Sequence, residues 1–420
     1  MKNRDIFKSK FGIDTLWLLL GQSTAMGAGL FLNLFIGFKY GTASLGIFNQ
    51  SLAYYLILST LFALGLNNAL IKKISEKSRT TIEENKFFTT NVVITIMVSS
   101  VLTSISIVII HIYPKILASE QLLITLPFIL MALPFFSINK NFSSYYNGNR
   151  KQKSVAFQRI YRWGGLAILF YIGGLYQYSL QNLMLSFLIV EGTLTLINIL
   201  QNIEHFNFSF SARLIRESIS FGMGSYISEI ISTFNSSIDI ILVAYFLTEQ
   251  EVGQYSFIAF FVRTLYVFPG VLSQNISPII SSHWFRKTIE NLNIKLAKVR
   301  SINLLVLTIQ LIALLVFYKL VILYLKEGFE STYVAFLIAI SGTFLFAQIS
   351  WGGSILIMTE RLKANYKRTL IVLLLNITVY LILTPIMGFM GSVTAISVNA
   401  ILSFLLLKTF VYKKTGVRLI

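Results

Sequence analysis

Residues 220–281 read SFGMGSYISEIISTFNSSIDIILVAYFLTEQEVGQYSFIAFFVRTLYVFPGVLSQNISPIIS. Two long apolar runs flank a short polar corner at residues 248–251. The first run carries Glu229 and Asp239, and the second carries Arg263, Pro269 and Pro278. An ionised side chain at bilayer depth costs about 2.5–3.5 kcal/mol on insertion scales, so it persists where it faces a cavity or a partner. If the corner marks one membrane face, Asp239 lies eight residues before Leu247 and Arg263 ten after Gly253. At a helical rise of 1.5 Å per residue these are depths of about 12 and 15 Å. The depths match, which allows an Asp239–Arg263 attraction between antiparallel neighbours. The alternative is an Asp239 that satisfies only backbone groups or Asn side chains near a helix kink.

Composition extends this reading to the whole chain. Of 420 residues 55% are hydrophobic and only 12% are charged, with a mean hydropathy of +0.72. A soluble protein of this length could not hide so much apolar surface, and many apolar runs exceed the ~18 residues that mark a spanning helix. The sequence has no cysteine, which excludes a disulfide framework and a thiolate metal site. Its three histidines are far apart, so no metal centre is expected. The run 13–38 is too long for a signal-peptide core and reads as the first span.

About twelve spans are expected, at 13–38, 45–71, 88–112, 117–138, 155–175, 180–200, 219–247, 253–280, 302–325, 332–358, 369–387 and 389–411. Basic residues test that alternation. One set of segments holds Lys2, Arg4, Lys8, Lys10, Lys72, Lys73, Lys77, Arg79, Lys86 and Lys140. To it also belong Arg150, Lys151, Lys153, Arg159, Arg162, Arg213, Arg216 and the clusters near 286–300, 361–368 and 408–418. That set has 30 basic residues, and the opposite face has four: Lys39, Lys115, Lys319 and Lys326. The thirty-fifth is Arg263, inside a span. This split fits the positive-inside rule with both termini cytoplasmic. The net charge of +18 is thereby assigned to anionic lipid and not to nucleic acid.

Residues 36–55 resemble residues 243–262. Gly46-x-Phe48 falls on Gly253-x-Tyr255, and Asn68 falls on Asn275 at the same offset of 207. Six spans separate the copies, so the halves, 1–210 and 211–420, run in the same orientation. Parallel repeats are a standard transporter build, with the substrate site between the halves. Small-xxx-small seams occur at Gly21, Ala25 and Gly29 and again at Gly391 and Ala395. Pro127, Pro134, Pro269, Pro278 and Pro385 should bend their helices.

Further candidate residues carry weaker signals. Glu191, mid-span, either bonds a neighbouring hydroxyl or serves as a proton carrier. Glu229 lies ten residues before Asp239 and either reaches the interface or joins the transport route. Lys39 reads as a snorkelling lysine or as a residue at the cavity mouth. Arg159 and Arg162, one turn apart, read as topology-fixing charge or as a dock for an anionic headgroup. The stretch 139–153, NKNFSSYYNGNRKQK, reads as a lipid-facing loop. Sequons at Asn141, Asn207, Asn235 and Asn376 fall on cytoplasmic loops or within spans and carry no weight. No G-x-x-x-x-G-K-[ST] motif appears, so no ATP-binding domain powers the chain itself. Short turns on the face poor in basic residues leave no large external loop for a catalytic domain.

The stretch 40–75, YGTASLGIFNQSLAYYLILSTLFALGLNNALIKKIS, and the opening stretch together resemble the Wzx-type polysaccharide flippases of the multidrug/oligosaccharidyl-lipid/polysaccharide exporter (MOP) superfamily. In the second stretch the resemblance lies in Ser236-Ser237-Ile238-Asp239 followed by the Gly253-Gln254-Tyr255 corner. It covers nearly the whole chain in spacing, span count and length. It implies an all-α, polytopic fold of two six-helix lobes around a central cavity lined by charged side chains, as in the multidrug exporters of the superfamily. It also implies a bacterial inner membrane and, as substrate, the polyprenyl-pyrophosphate-linked oligosaccharide repeat unit of an O-antigen or capsule. Asp239 matches the family's acidic residue before the second-half corner, and Arg263 the interior cation. The chain departs from the family in having few interior cations in its first half. The expected partners are the lipid-linked oligosaccharide, membrane lipids, and the polysaccharide polymerase and chain-length machinery. No cofactor is expected beyond a coupling ion, H+ or Na+. The rival readings are a cation-coupled multidrug or small-solute antiporter and a membrane glycan polymerase or sugar transferase.

Overall fold

The structure is a computed structural model. It describes residues 10–76, 80–117, 119–209, 211–286, 288–325, 328–329 and 332–419. Lys2, Arg4, Lys8, Lys77, Arg79, Lys287 and Lys326 therefore lie outside the described residues. Among the described residues the regular structure is helical throughout. The first half contains α1 (Lys10–Ala63), α2 (Leu66–Ser75), α3 (Thr81–Ile112), α4 (Glu120–Leu130), α5 (Leu133–Gly148), α6 (Gln152–Leu175) and α7 (Leu180–Gln201). The second contains α8 (Ala212–Phe246), α9 (Glu249–Arg263), α10 (Val267–Phe285), α11 (Ile289–Leu325), α12 (Thr332–Ala347), α13 (Gly353–Met358) and α14 (Leu362–Thr415).

The 54 residues of α1 would measure about 80 Å if straight, far more than the ~30 Å of a bilayer core. The helix is broken at Gly41 (φ 84°), and the equally long α14 is broken at Gly388 (φ 58°). Both glycines take a left-handed backbone that a Cβ would strain. Among the described residues seven helical stretches are long and apolar enough to cross a membrane. Two bent pairs qualify when taken together: α4 with α5 at 45° and α12 with α13 at 43°. With α1 and α14 each counted as two passes at their glycine breaks, eleven of the about twelve expected spans are present among the described residues, and α6, at the expected 155–175, is helical but less apolar.

The prolines act largely as expected. Pro127 lies inside α4 and Pro134 opens α5, which places the first bend between them. Pro269 stands near the start of α10, just after a 3-10 turn at Thr264–Tyr266 interrupts the eighth span. Pro385 lies three residues before Gly388.

The chain forms two compact units. Unit 1 is Met1–Tyr40 with Gln50–Thr233, and unit 2 is Gly41–Asn49 with Phe234–Ile420. α8 contributes residues to both units, with the division at Thr233. Unit 1 is packed around aromatic rings, with Phe88 4.5 Å from Tyr145 and 5.3 Å from Phe142. In unit 2 Tyr318 stacks on Phe336 at 3.9 Å, and Phe257 packs on Phe329 at 4.9 Å. Large apolar side chains are also exposed along α11, among them Leu305, Ile309, Ile312, Val316 and Leu320. Such a stripe suits lipid and not water.

The two repeat-related glycines meet within unit 2. A Cβ on Gly46 would fall on the carbonyl oxygen of Glu249, and one on Gly253 would fall on that of Thr42. Backbone lies against backbone there, which only glycine allows.

The stretch 139–153 is not a lipid-facing loop. Residues 139–148 continue α5, and Asn139, Asn141, Phe142, Tyr145 and Tyr146 are buried. Its alternation of amides and aromatics reads as loop polarity when taken linearly. On a helix the same residues share an inward face.

Candidate functional site

Glu191, Glu229 and Asp239 each meet a cation on another helix. Glu191 on α7 is held by Arg162 on α6. Arg162 Nε donates to one carboxylate oxygen and Nη2 to the other at 3.0 Å. Asn139 on α5 donates to the same Oε2 at 2.8 Å and to the Glu191 carbonyl at 3.0 Å. The Asn139 oxygen accepts in turn from Thr195 at 3.2 Å and Asn198 at 3.0 Å. Arg162 also lies 4.6 Å over the ring of Phe136. Both Glu191 oxygens are thus engaged, and the side chain is only 1% exposed.

Glu229, on the part of α8 that belongs to unit 1, accepts from Lys140 on α5 at 2.8 Å. Asn68 on α2 donates to its other oxygen at 2.8 Å, and Asn67 reaches both at 3.4 Å. This carboxylate is also fully engaged.

Asp239 differs. It lies near the end of α8 in unit 2, and Arg263 Nη2 donates to its Oδ2. Tyr255, two helical turns before Arg263 on α9, donates to the same oxygen at 2.8 Å. Tyr255 also shares a 2.6 Å hydrogen bond with Tyr380 on α14. Both donors to Asp239 come from one helix and converge on one oxygen. The second oxygen, Oδ1, is buried without a hydrogen-bond partner. The cation is also less enclosed here. The Arg263 side chain is 41% exposed, against 18% for Arg162 and 23% for Lys140.

A cavity of about 240 Å³ opens beside this pair, entirely within unit 2. Its wall includes Asn235 and Asp239 from α8, Arg263 from α9, Tyr266, Thr343 from α12, and Asn376 and Asn399 from α14. Asn399 donates to Asn376 at 2.7 Å.

The equal depths read from the sequence are therefore realised as an Asp239–Arg263 contact. Glu191 lies buried against Arg162 and Asn139. Of the two arginines that share one helical turn, Arg162 faces inward and Arg159 bonds Gln22 at 2.9 Å. Lys39 is exposed two residues before Gly41 and joins none of the three clusters. Sequence reasoning missed Lys140, which it counted among cytoplasmic basic residues, and Asn139, which it placed in the loop. It also missed Tyr255, Tyr380 and Asn399, and it passed over Asn235 and Asn376 as sequons. A helical-wheel reading of 133–148 would have put Asn139 on the buried face. Nothing in the linear sequence pairs Tyr255 with Tyr380, 125 residues away.

Helical among its described residues and multi-pass, the chain has the build of a polytopic membrane protein, and solved structures share its fold. The fold is similar to that of the lipid II flippase MurJ in an inward closed conformation, with a TM-score of 0.75 at 16% identity over 94% of this chain and 87% of that one. It is also similar to an inward-facing MATE-family multidrug resistance transporter of the MOP superfamily, with a TM-score of 0.79 at 12% identity over 95% and 99%. A MOP superfamily transporter from Pyrococcus furiosus, described as having a binding pocket of reversed polarity, matches with a TM-score of 0.65 at 12% identity over 95% of each chain. No curated protein matches the chain in sequence. Residues 11–284 match the polysaccharide biosynthesis protein family, and the chain belongs to that family.

Proposed function

We propose that this protein is a flippase. It carries polyprenyl-pyrophosphate-linked oligosaccharide repeat units from the cytoplasmic to the outer leaflet of a bacterial inner membrane by alternating access. Both termini are cytoplasmic, and the polysaccharide polymerase and chain-length machinery act downstream. Family membership and the resemblance to a lipid II flippase support the substrate class. The single observation that carries the site is the asymmetry of the Asp239–Arg263 pair. Its cation is the most exposed of the three, and one carboxylate oxygen is unused. Arg263 can turn from Asp239 to a pyrophosphate or an acidic sugar, because an arginine fork matches phosphate oxygens. Asp239 holds the guanidinium in place until then.

The antiporter reading is less well supported. A cationic drug needs an unpaired acid, and Glu191, Glu229 and Asp239 each already carry a cation. Coupling to H+ or Na+ belongs to the proposal. If Glu191 is the proton carrier, it must part from Arg162 in each cycle. Glu229, Lys39, Arg159 and Arg162 then serve as gate or headgroup contacts along the route.

Replacing Arg263 by Ala should abolish surface glycan in a complemented deletion strain at normal protein level, and Arg263→Lys should restore it in part. Wild-type glycan from the Arg263→Ala strain refutes the role assigned to Arg263.

A further inference from the structure

We propose that the unit 2 cavity beside Asp239 is a monosaccharide subsite that holds one uncharged sugar ring of the transported glycan. The proposal rests on the flippase reading and adds the chemistry of what the cavity holds. Its wall carries a surplus of acceptors. Asp239 Oδ1, Asn235 Oδ1 and Asn399 Oδ1 all belong to cavity-lining residues, and all are buried without a donor. Buried acceptors left unpaired are costly, so three on the residues of one wall favour a turn of those side chains toward a ligand that brings several donors. Sugar hydroxyls are such donors.

Charge and size narrow the ligand class. The negative charge of Asp239 is met by Arg263, and the remaining lining side chains are uncharged. While that pair stays closed, the wall favours a neutral occupant over an ion of either sign. A hard cation would draw its oxygens to within about 2.5 Å. A cavity of about 240 Å³ holds the equivalent of about eight waters at about 30 Å³ each, too roomy for a bare ion. It is also smaller than the about 300–1,000 Å³ that encloses drug-sized ligands, a size that suits one ring with its neighbours left outside. Tyr266 and Phe346 supply aromatic surface for the C–H faces of a pyranose, while the amides and Asp239 take the hydroxyl edge.

The natural absence of cysteine makes the test direct. Ser403, buried in the cavity wall, is replaced by Cys in the otherwise intact chain, which is purified and reconstituted in liposomes. Its maleimide labelling is timed with methyl glucoside, methyl galactoside, N-acetylglucosamine or N-acetylgalactosamine at tens of millimolar. NaCl against choline chloride, and inorganic pyrophosphate, form the other arms. At least one sugar should slow labelling about five-fold or more, and Asn399→Leu in the same background should remove that protection. NaCl should leave the rate unchanged; protection by pyrophosphate reports the Arg263 contact of the proposed function and, unlike that by a sugar, should survive Asn399→Leu. The melting temperature of the unsubstituted chain is measured with the same panel, so that a Ser403→Cys protein that labels poorly still leaves a reading. Protection by Na+ alone makes the cavity a cation site and overturns the proposal. Neither protection nor a melting shift with any sugar overturns it as well. If deleting the gene abolishes surface glycan while no sugar binds, only the subsite fails. If deletion leaves surface glycan intact, the flippase reading fails whatever the labelling shows.

Discussion

Replacing Arg162 by Met tests whether the Glu191 pair is a structural clamp. The substitution keeps hydrocarbon over the Phe136 ring, 4.6 Å from the guanidinium carbon, and removes the charge. Glu191 is then left at 1% exposure with only Asn139 donating to its carboxylate, at 2.8 Å. Removing one partner of a buried pair costs about 3–5 kcal/mol. The surviving Asn139 bond puts the expectation at about 3–4 kcal/mol, a factor of about 10²–10³ in the folding equilibrium. Adding Glu191→Gln removes the orphaned charge, and the amide oxygen still accepts from Asn139. The double variant should therefore recover about 2 kcal/mol and lie about 1–2 kcal/mol below the wild type, reflecting the lost cation–π contact and one unpaired amide donor. The assay is equilibrium unfolding in mixed detergent micelles across the full double-mutant cycle. A coupling energy below about 0.5 kcal/mol would refute the reasoning, because independent sites add to within that margin.

Other outcomes follow from the same contacts. Gly253→Val should lower folded yield and stability by about 1–3 kcal/mol or more, since its Cβ lands on the Thr42 backbone and not on a side chain that can turn. Gly270→Ala, with nothing within 4 Å of its Cβ, is the matched control and should melt near the wild type. Tyr255→Phe takes the neutral donor from Asp239 and should cost about 1.5–3 kcal/mol in the same micelle assay. Tyr380→Phe removes only a hydroxyl–hydroxyl bond and should cost about 0.5–1.5 kcal/mol. Equal costs for the two tyrosines would argue against Tyr255 as the donor that matters to Asp239.

The fold was legible because membrane chemistry is written linearly. Apolar runs give the spans, and Gly46 and Gly253 mark a place in unit 2 where helices touch backbone to backbone. The Asp239–Arg263 pair was legible for the same reason, since a short corner sets both residues at one depth on adjacent helices. The Glu191 and Glu229 clusters were not. The Glu191 cluster needs three consecutive helices, α5, α6 and α7, to turn one face together, and the Glu229 cluster needs α2, α5 and α8, which are distant in sequence. Charge near a span end also reads as topology by default. That rule absorbed Arg162 and Lys140, which the folded helices turn toward a carboxylate.

The interrupted eighth span explains why Arg263 has room that Arg162 lacks. Arg162 lies mid-helix on α6, with its guanidinium over Phe136 and both Glu191 oxygens before it. Arg263 is the last residue of α9, and a 3-10 turn follows at Thr264–Tyr266. Such a break frees backbone carbonyls, which at membrane depth must find other donors. Here Gln310 on α11 donates to the Thr264 carbonyl at 2.8 Å, and the Thr264 hydroxyl donates to that of Phe261 at 2.6 Å. The break is thus a satisfied feature of unit 2. Continuing α9 in regular helix would carry Tyr266 and Phe346 out of their present packing at 5.7 Å, against the cavity that Arg263 also lines. Arg263 keeps an open side toward the cavity that Arg162, enclosed by Phe136 and Glu191, lacks. On the proposed reading, that opening, more than any difference in the type of residue, lets its pair exchange partners while the other two hold helices together.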